Sequence, residues 1–389
     1  MNLGRTVFSQ IMDFIPTHEF QLCVDRYHGS RYVKDFSCWD QFLCMAFAQL
    51  TYRKGLRDIE TCLRAQQPKL YHMGFRATIA RSTLAHANRE RDWRIYADFA
   101  HLLIQQARDL YRHEPLAVDL PDTVYAFDST TIDLCLSLFP WAQFRRRKSA
   151  VKIHTLLDLH GCIPASVYVT GAQVHDVNLL DQLEFEPGAI YLFDRGYLDF
   201  ARLFRLAQAG AFFITRTKDN TKFYRRESHV IDKSTGVRSD QTIKLTGPKT
   251  SRLYPGPLRR IHYVDTEKNL RLLFLTNKFA LAALLIAQLY RARWKVELFF
   301  RWIKQHLRIE RFYGTSSNAV KTQIWIALSM YVLVAIIRKR LGVDLSLYKI
   351  LQIISVTIFE KTPILEAFAN IQPQFEEPYP CNQLNLFEN

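Results

Sequence analysis

Residues 188–218 read GAIYLFDRGYLDFARLFRLAQAGAFFITRTK, and the alternation within this stretch decides the fold class. GAIYLFDRGY is a short apolar run opened by Gly188 and closed by Asp194, the pattern of a strand buried on both faces. DFARLFRLAQAG spaces its apolar residues at helical period and stops at Gly210. AFFITRTK returns to strand. Upstream, TVYAFDSTTIDLCL (123–136), VKIHTLLDL (151–159) and CIPASVYVTGA (162–172) are strand-like, with His160-Gly161 as a hairpin turn between the last two. VHDVNLLDQL (174–183) reads as a short helix. Three strands followed by alternating helix and strand predict an α/β fold, a mixed sheet flanked by helices.

The chain on either side is different. Residues 1–118 are helical in texture: FSQIMDFI, CWDQFLCMAFAQLTY and DWRIYADFAHLLIQQARDLYR repeat apolar positions at helical spacing. Between them lie LRDIETCLRAQ (56–66) and RSTLAHANRERD (81–92), the second capped by Ser82 or Thr83. This pair has the makings of a helix-turn-helix with Arg81, Asn88 and Arg89 as readers, or of an ordinary helical bundle. EPLAVDLPDT (114–123) reads as a linker into the mixed-sheet domain, 119–345. Residues 219–269 turn polar and basic, a small β-rich insertion, with LRRIHYVD, TEKN and LRLLFLTN as strand, turn and strand. The rest, 346–389, is a helical C-terminal region and a polar tail.

Composition narrows the function classes. Of 389 residues, 48% are hydrophobic and 13% aromatic, enough for a core and against wholesale disorder. Lys and Arg number 52 against 37 acids, a formal charge of +15 that attracts polyanions. The seven cysteines, at 23, 38, 44, 62, 135, 162 and 381, form no CxxC pair, as reduced thiols in a cytoplasmic protein would. His154, His160 and His175 are spaced too irregularly for zinc. The N-terminus has no long apolar stretch of a signal peptide, and Ile324–Ile337 falls short of the roughly 20 residues of a membrane span, so it reads as a buried helix.

The chemistry concentrates in three places. A single long helix is expected from Ala280 to Arg311. At about 100° per residue, Val296, Phe299, Phe300, Ile303 and Leu307 share one side. Tyr290, Arg293, Trp294, Glu297, Arg301, Lys304 and Arg308 share the other. One acid stands in a line of cations. Taken alone, i,i+4 ion pairs on a solvated face explain it. Asp128 follows the apolar stretch VYAF, and Asp194 follows IYLF. A carboxylate directly after a buried strand is expensive unless compensated. A shared divalent cation would compensate both, and so would a helix N-cap or an arginine such as Arg195. Asp133, Asp158 and Asp176 also lie near strand ends or turns, and Asp176 reads as a helix cap.

Taken in order, these residues resemble the signature of bacterial insertion-sequence transposases of the DDE class, the insertion-sequence-four type. Tyr290, Arg293, Glu297 and Lys304 spell Y-x2-R-x3-E-x6-K. Asp194-Arg195-Gly196-Tyr197 is similar to that family's second acidic motif and Phe127-Asp128-Ser129-Thr130 to its first, with His175-Asp176 just before the second. The likeness is strong over about 120–340. It implies a ribonuclease-H-like core with Asp128, Asp194 and Glu297 as catalytic metal ligands, holding two Mg2+, with Mn2+ as a substitute. It implies phosphate and base contacts from Tyr290, Arg293 and Lys304, with Trp294 able to stack on a base and Arg301 on the same face. The basic run Arg145, Arg146, Arg147 and Lys148 suits DNA backbone. The implied partners are double-stranded terminal inverted repeats and target DNA, bound by a homodimer in the bacterial cytoplasm at the nucleoid. Two other readings share the motifs: a catalytically silent DNA-binding descendant, and a ribonuclease-H-like nuclease that does not join strands.

The sequence departs from some relatives in one respect. They hold a flipped base with a tryptophan in the β-rich insertion, and the tryptophans here, at 39, 93, 141, 294, 302 and 325, all lie outside it. Phe223, Tyr224, Tyr254 or Tyr263 would have to substitute. The surplus of cations predicts that the logarithm of DNA affinity falls linearly and steeply with the logarithm of salt concentration in a filter-binding titration, as counterions are released; a flat response would remove charge from the account.

Overall fold

The computed structural model describes residues 4–76, 78–116, 118, 120–146, 148–217, 220–265, 270–307 and 312–369. Arg147, Arg308, Arg311, Cys381 and the TEKN turn lie outside the described residues.

The strands fall where apolar runs place them. They are β1 (Val124–Leu134), β2 (Gln143–Arg145), β3 (Lys148–Asp158), β4 (Ile163–Gly171), β5 (Ile190–Phe193), β6 (Phe212–Arg216), β7 (Phe223–Ser228), β8 (Val237–Leu245), β9 (Leu258–Asp265) and β10 (Leu270–Thr276). All ten join one sheet in the order β2-β3-β1-β5-β6-β10-β9-β8-β7, with β4 also paired to β3. β1, β3 and β4 form an antiparallel meander. β5 is buried at every position and lies parallel to both neighbours, β1 and β6, as a fully apolar strand should. The β3–β4 turn does contain His160-Gly161. Gly161 has a φ of +70°, and a Cβ there would meet Tyr111 Cδ1 at 2.2 Å, so the position excludes every larger residue. The strands of the β-rich insertion continue the same sheet, because β10 pairs antiparallel with β6.

The helices are α1 (Val7–Met12), α2 (Thr17–Arg26), α3 (Cys38–Leu50), α4 (Leu56–Ala65), α5 (Arg81–Glu90), α6 (Arg94–Tyr111), α7 (Phe200–Gln208), α8 (Thr250–Leu253), α9 (Ala283–Ala292), α10 (Lys295–His306), α11 (Ser317–Arg340), α12 (Leu347–Thr357) and α13 (Ile364–Ala369). Ser37 and Asp40 form a capping box on α3. Asp199 caps α7, accepting from the Arg202 amide at 3.0 Å, and Gly210 follows it at a φ of +76°. Residues 176–182 form a 3₁₀ segment where a short helix was expected. α11 contains the apolar run and is long and apolar enough to cross a membrane, yet 94% of that window is buried within the protein, packed on α6, α3 and α5.

One core joins one face of the sheet to the N-terminal helices, α9–α11 and the C-terminal helices, from Val7 to Phe368. A second, smaller core lies on the opposite face under α7. α1 is completed by the far end of the chain. The Val7 amide donates to Glu360 O at 2.8 Å, and Gln10 bonds Thr362 O at 2.9 Å and the Ile364 amide at 3.0 Å.

Four expectations about these helices need correction. The helix expected over 280–311 is two, α9 and α10, parted at Arg293-Trp294 by a turn described below. α4 and α5 are separated by residues 66–80 rather than by the tight turn of a helix-turn-helix. Asn88 is buried, accepting from Gln41 Nε2 at 2.8 Å, so it is no base reader. Nor do Ser82 or Thr83 cap α5; the Glu60 carboxylate does, at 3.0 Å from the Arg81 amide.

Arg259 ties the insertion to the approach of α9. Its guanidinium is bidentate to Asp240, at 2.8 and 2.5 Å, and also donates to Phe279 O at 3.1 Å and to Leu281 O. Both side chains are under a tenth exposed. Removing one partner leaves an uncompensated buried charge, so Asp240→Asn should lower stability by about 3–5 kcal/mol, read as a shifted denaturant midpoint. A loss below about 1 kcal/mol would mean that water reaches the pair.

Candidate active site

Register brings two of the acids together. β1 and β5 pair in parallel, the last pair being Phe127 with Phe193, so Asp128 and Asp194 follow on adjacent strands at one level. The alternation of β1 puts Phe127 and Ser129 on the α7 side and Asp128 on the opposite side, with Val124 and Ala126, where α10 packs.

The third acid arrives through a tightened turn. Between α9 and α10 the hydrogen bonds run i to i+3: Arg293 N to Tyr290 O at 3.2 Å, Val296 N to Arg293 O at 3.1 Å and Glu297 N to Trp294 O at 3.0 Å. Such i to i+3 bonds tighten the chain between the two helices. The turn aims three side chains at the strand ends. Arg293 Nη1 donates to Asp128 Oδ2 at 2.9 Å and Nη2 to Glu297 Oε1 at 2.7 Å. The Tyr290 hydroxyl lies 3.5 Å from Asp194 Oδ1. Lys304, two turns on, donates from Nζ to Thr131 O at 2.8 Å and fastens α10 to β1.

Electrostatics mark Asp128 most strongly. Burial raises its carboxyl to about 6; Arg293 and the Ser129 amide pull the other way, and Glu297 and Asp194 add to the rise. Burial likewise pushes the Tyr290 hydroxyl up to about 12.

A polar cluster backs Asp128 on the other face of β1, and sequence reasoning missed it. Asp176 Oδ1 accepts from Ser129 Oγ at 2.8 Å and from Lys152 Nζ at 3.0 Å, with His154 Nδ1 at 3.7 Å. His154 is fully buried, bonded to Thr170 at 2.9 Å, and burial lowers it to about 4, so it is neutral at pH 7. The Ser129 amide donates to Asp128 Oδ1 at 2.8 Å, which connects the cluster to the acid. Asp176 is therefore no helix cap, since its carboxylate is engaged by Ser129 and Lys152. The available signal was Lys152 and His154 two apart on a strand, hence on one face.

The remaining expected residues scatter. Tyr290 is only 9% exposed, its ring 5.0 Å from that of Phe274, so in this arrangement it offers no open face for a base. Trp294 is half-buried and Arg301 exposed. Arg145 and Arg146 are exposed at edge strand β2 and the turn after it, and Lys148 is exposed at the start of β3. Of the four aromatic candidates in the insertion, Tyr254 is buried between Phe204 and Phe213, whereas Tyr224 is 63% exposed.

The donor set suits a hard divalent cation, with all-oxygen ligands on convergent elements. Among the described residues, however, no three His, Cys, Asp or Glu side chains stand close enough to hold one ion. Arg293 spaces Asp128 from Glu297. The residues fit a metal in the chemistry of their oxygen donors, and Arg293 stands between two of them.

Fold and site define an α/β enzyme with convergent acids at the strand ends of a mixed sheet. The Transposase DDE domain family matches residues 119–333, and a domain of unknown function (DUF4372) matches residues 3–76. The chain is 32% identical over 322 residues to a Sinorhizobium fredii protein named as transposase y4zB, covering 81% of this chain and 86% of that one. It is 30% identical over 254 residues to the protein named as transposase for insertion sequence element IS5377 in Geobacillus stearothermophilus, covering 65% and 66%. Among solved structures it is similar to piggyBac transposase in a synaptic complex with hairpin DNA, with a TM-score of 0.43 and 12% identity over 95% of this chain and 84% of that one. The chain belongs to the DDE transposase family. It is a DNA-cleaving and DNA-joining enzyme, and enzymes of this family use divalent metals.

The raised Asp128 carboxyl makes a prediction for the metal-free protein. An acid that titrates near 6 when folded and at the ordinary 3.8 when unfolded binds its proton more tightly in the native state. Its contribution to stability is full below about pH 4 and is lost as pH rises through 6. Relative to the parent, Asp128→Asn should gain about 2 kcal/mol between pH 4 and 7.5 in thermal unfolding. A gap that does not change with pH would contradict the burial of this carboxylate.

Proposed function

We propose that Asp128, Asp194 and Glu297 are the catalytic metal ligands of a transposase that binds the terminal inverted repeats of an insertion sequence, nicks the element ends and joins them to target DNA. The observation that carries this reading is the Arg293 bridge: one cation already gathers Asp128 and Glu297, while register sets Asp194 beside Asp128. The proposed ions are Mg2+, two of them, with Mn2+ as a substitute; when bound they supply Lewis-acid activation of water or a 3′ hydroxyl and stabilise the departing oxygen. The protein's own groups hold the reactants. Tyr290 steadies Asp194, and the Ser129 amide, fixed by Asp176, orients Asp128. Lys304 and Arg301 line the mouth of the site for phosphates, as does Arg293 once freed, and Trp294 borders them. Arg145, Arg146, Arg147 and Lys148 meet the DNA backbone further along.

The spacing of Tyr290, Arg293, Glu297 and Lys304 supports the insertion-sequence-four type. In the insertion, Tyr224 has the exposed ring that a flipped base needs. Two element ends must meet, which favours a homodimer on DNA, acting at the nucleoid in the bacterial cytoplasm.

The test is cleavage of terminal-repeat DNA with Mg2+. Asp128→Asn, Asp194→Asn and Glu297→Gln should each lower nicking by about a thousandfold or more while DNA retention is kept. A fully active Glu297→Gln would sink the triad. Products covalently linked to target DNA exclude a nuclease that does not join, and binding without cleavage of any element end would favour a silent descendant.

A further inference from the structure

Arg293 is placed unlike an ordinary surface cation. Its side chain is 12% exposed. Two of its nitrogens are spent on Asp128 and Glu297, and its Nε is buried with no hydrogen-bond partner among the described residues. The Tyr290 ring lies 5.8 Å from the guanidinium carbon. The guanidinium thus fills the space between two acids that no other described cation reaches. It sits on the tightened turn between α9 and α10, where the helical ladder is already interrupted.

We propose that this guanidinium is the site's resident cation, an alternative occupant to the divalent ions, so that binding a metal at Asp128 and Glu297 requires Arg293 to leave. The inference rests on the triad reading above. Space and charge both prevent joint occupancy. A hard divalent ion needs carboxylate oxygens at roughly 2.0–2.6 Å, closer than the guanidinium nitrogens stand, and both cannot occupy one gap. Two positive groups at that distance also repel in a site sheltered from water. Without either cation, the buried like-charged carboxylates would repel each other. Arg293 therefore offsets part of the negative charge of the unliganded site, at the expense of metal affinity. Once displaced it stands at the mouth of the site beside Lys304 and Arg301, where a DNA phosphate is its natural partner. Phosphate binding and metal binding then favour each other, because each removes the guanidinium from the carboxylates, and the coupling is reciprocal.

The experiment measures Mn2+ binding to the full-length protein without DNA, by electron paramagnetic resonance of the free ion, for the parent, Arg293→Met, Arg293→Lys and Glu297→Gln. Arg293→Met should bind Mn2+ roughly tenfold or more tightly than the parent, since a charge-assisted pair no longer has to be broken. Arg293→Lys, a single point charge, should fall between them and guards against misfolding of the methionine variant. Without metal, Arg293→Met should melt at a lower temperature than the parent, and Mn2+ should restore it more than it raises the parent. Unchanged or weaker Mn2+ affinity in both Arg293 variants, with binding lost in Glu297→Gln, would overturn this inference and leave the triad standing. Binding undiminished in Glu297→Gln would overturn the triad itself.

Discussion

Carboxylates at the ends of apolar strands constrain everything around them. β5 is buried along its whole length, and its pairing with β1 delivers Asp128 and Asp194 side by side at the edge of a hydrophobic layer. Asp128, whose carboxyl is pushed up by burial, could not remain there uncompensated. The sheet therefore recruits a helix to bring positive charge inward, and the same helix brings the third acid. The tightened turn at Arg293 places that guanidinium between Asp128 and Glu297.

Much of this was legible from the chain alone. β5, α7 and β6 announced themselves through period and punctuation, and the meander of β1, β3 and β4 through its hairpin turn. The acids stood out because each ended an apolar run or interrupted a line of cations. What sequence could not convey was the break in the long helix. Tyr290 to Leu307 keeps helical period throughout, and the interruption is enforced by tertiary contacts with Asp128 and Thr131, not by Gly or Pro. Asn88 misled for a related reason. A polar residue on a short basic helix looks like a reader until its partner, Gln41, is seen in the core. Asp176 misled because a turn next to a histidine looks like a cap, and its true partners lie on strands distant in sequence.

The two faces of the sheet divide the labour. One carries Asp128, Arg293 and Glu297 under α9 and α10. The other holds Ser129, Lys152, His154 and Asp176 in a network with little freedom, which fixes β1 from behind. Buried polar networks of this kind stiffen a site when nearly every member is satisfied. The β-rich insertion shares the same sheet, and Arg259 fastens it to the residues that lead into α9.

The join between α1 and the residues around Glu360 carries a consequence for biogenesis. The amides of Val7 and Phe8 donate to Glu360 O and Ile358 O, and the side-chain amide of Gln10 also reaches Thr362 O and the Ile364 amide, in a segment some 350 residues later. During synthesis the first helix waits, with part of its hydrogen bonding unmade, until residues 358–364 have been added. The helix nearest one end of the described chain is thereby made to depend on residues from the other, which couples the formation of both.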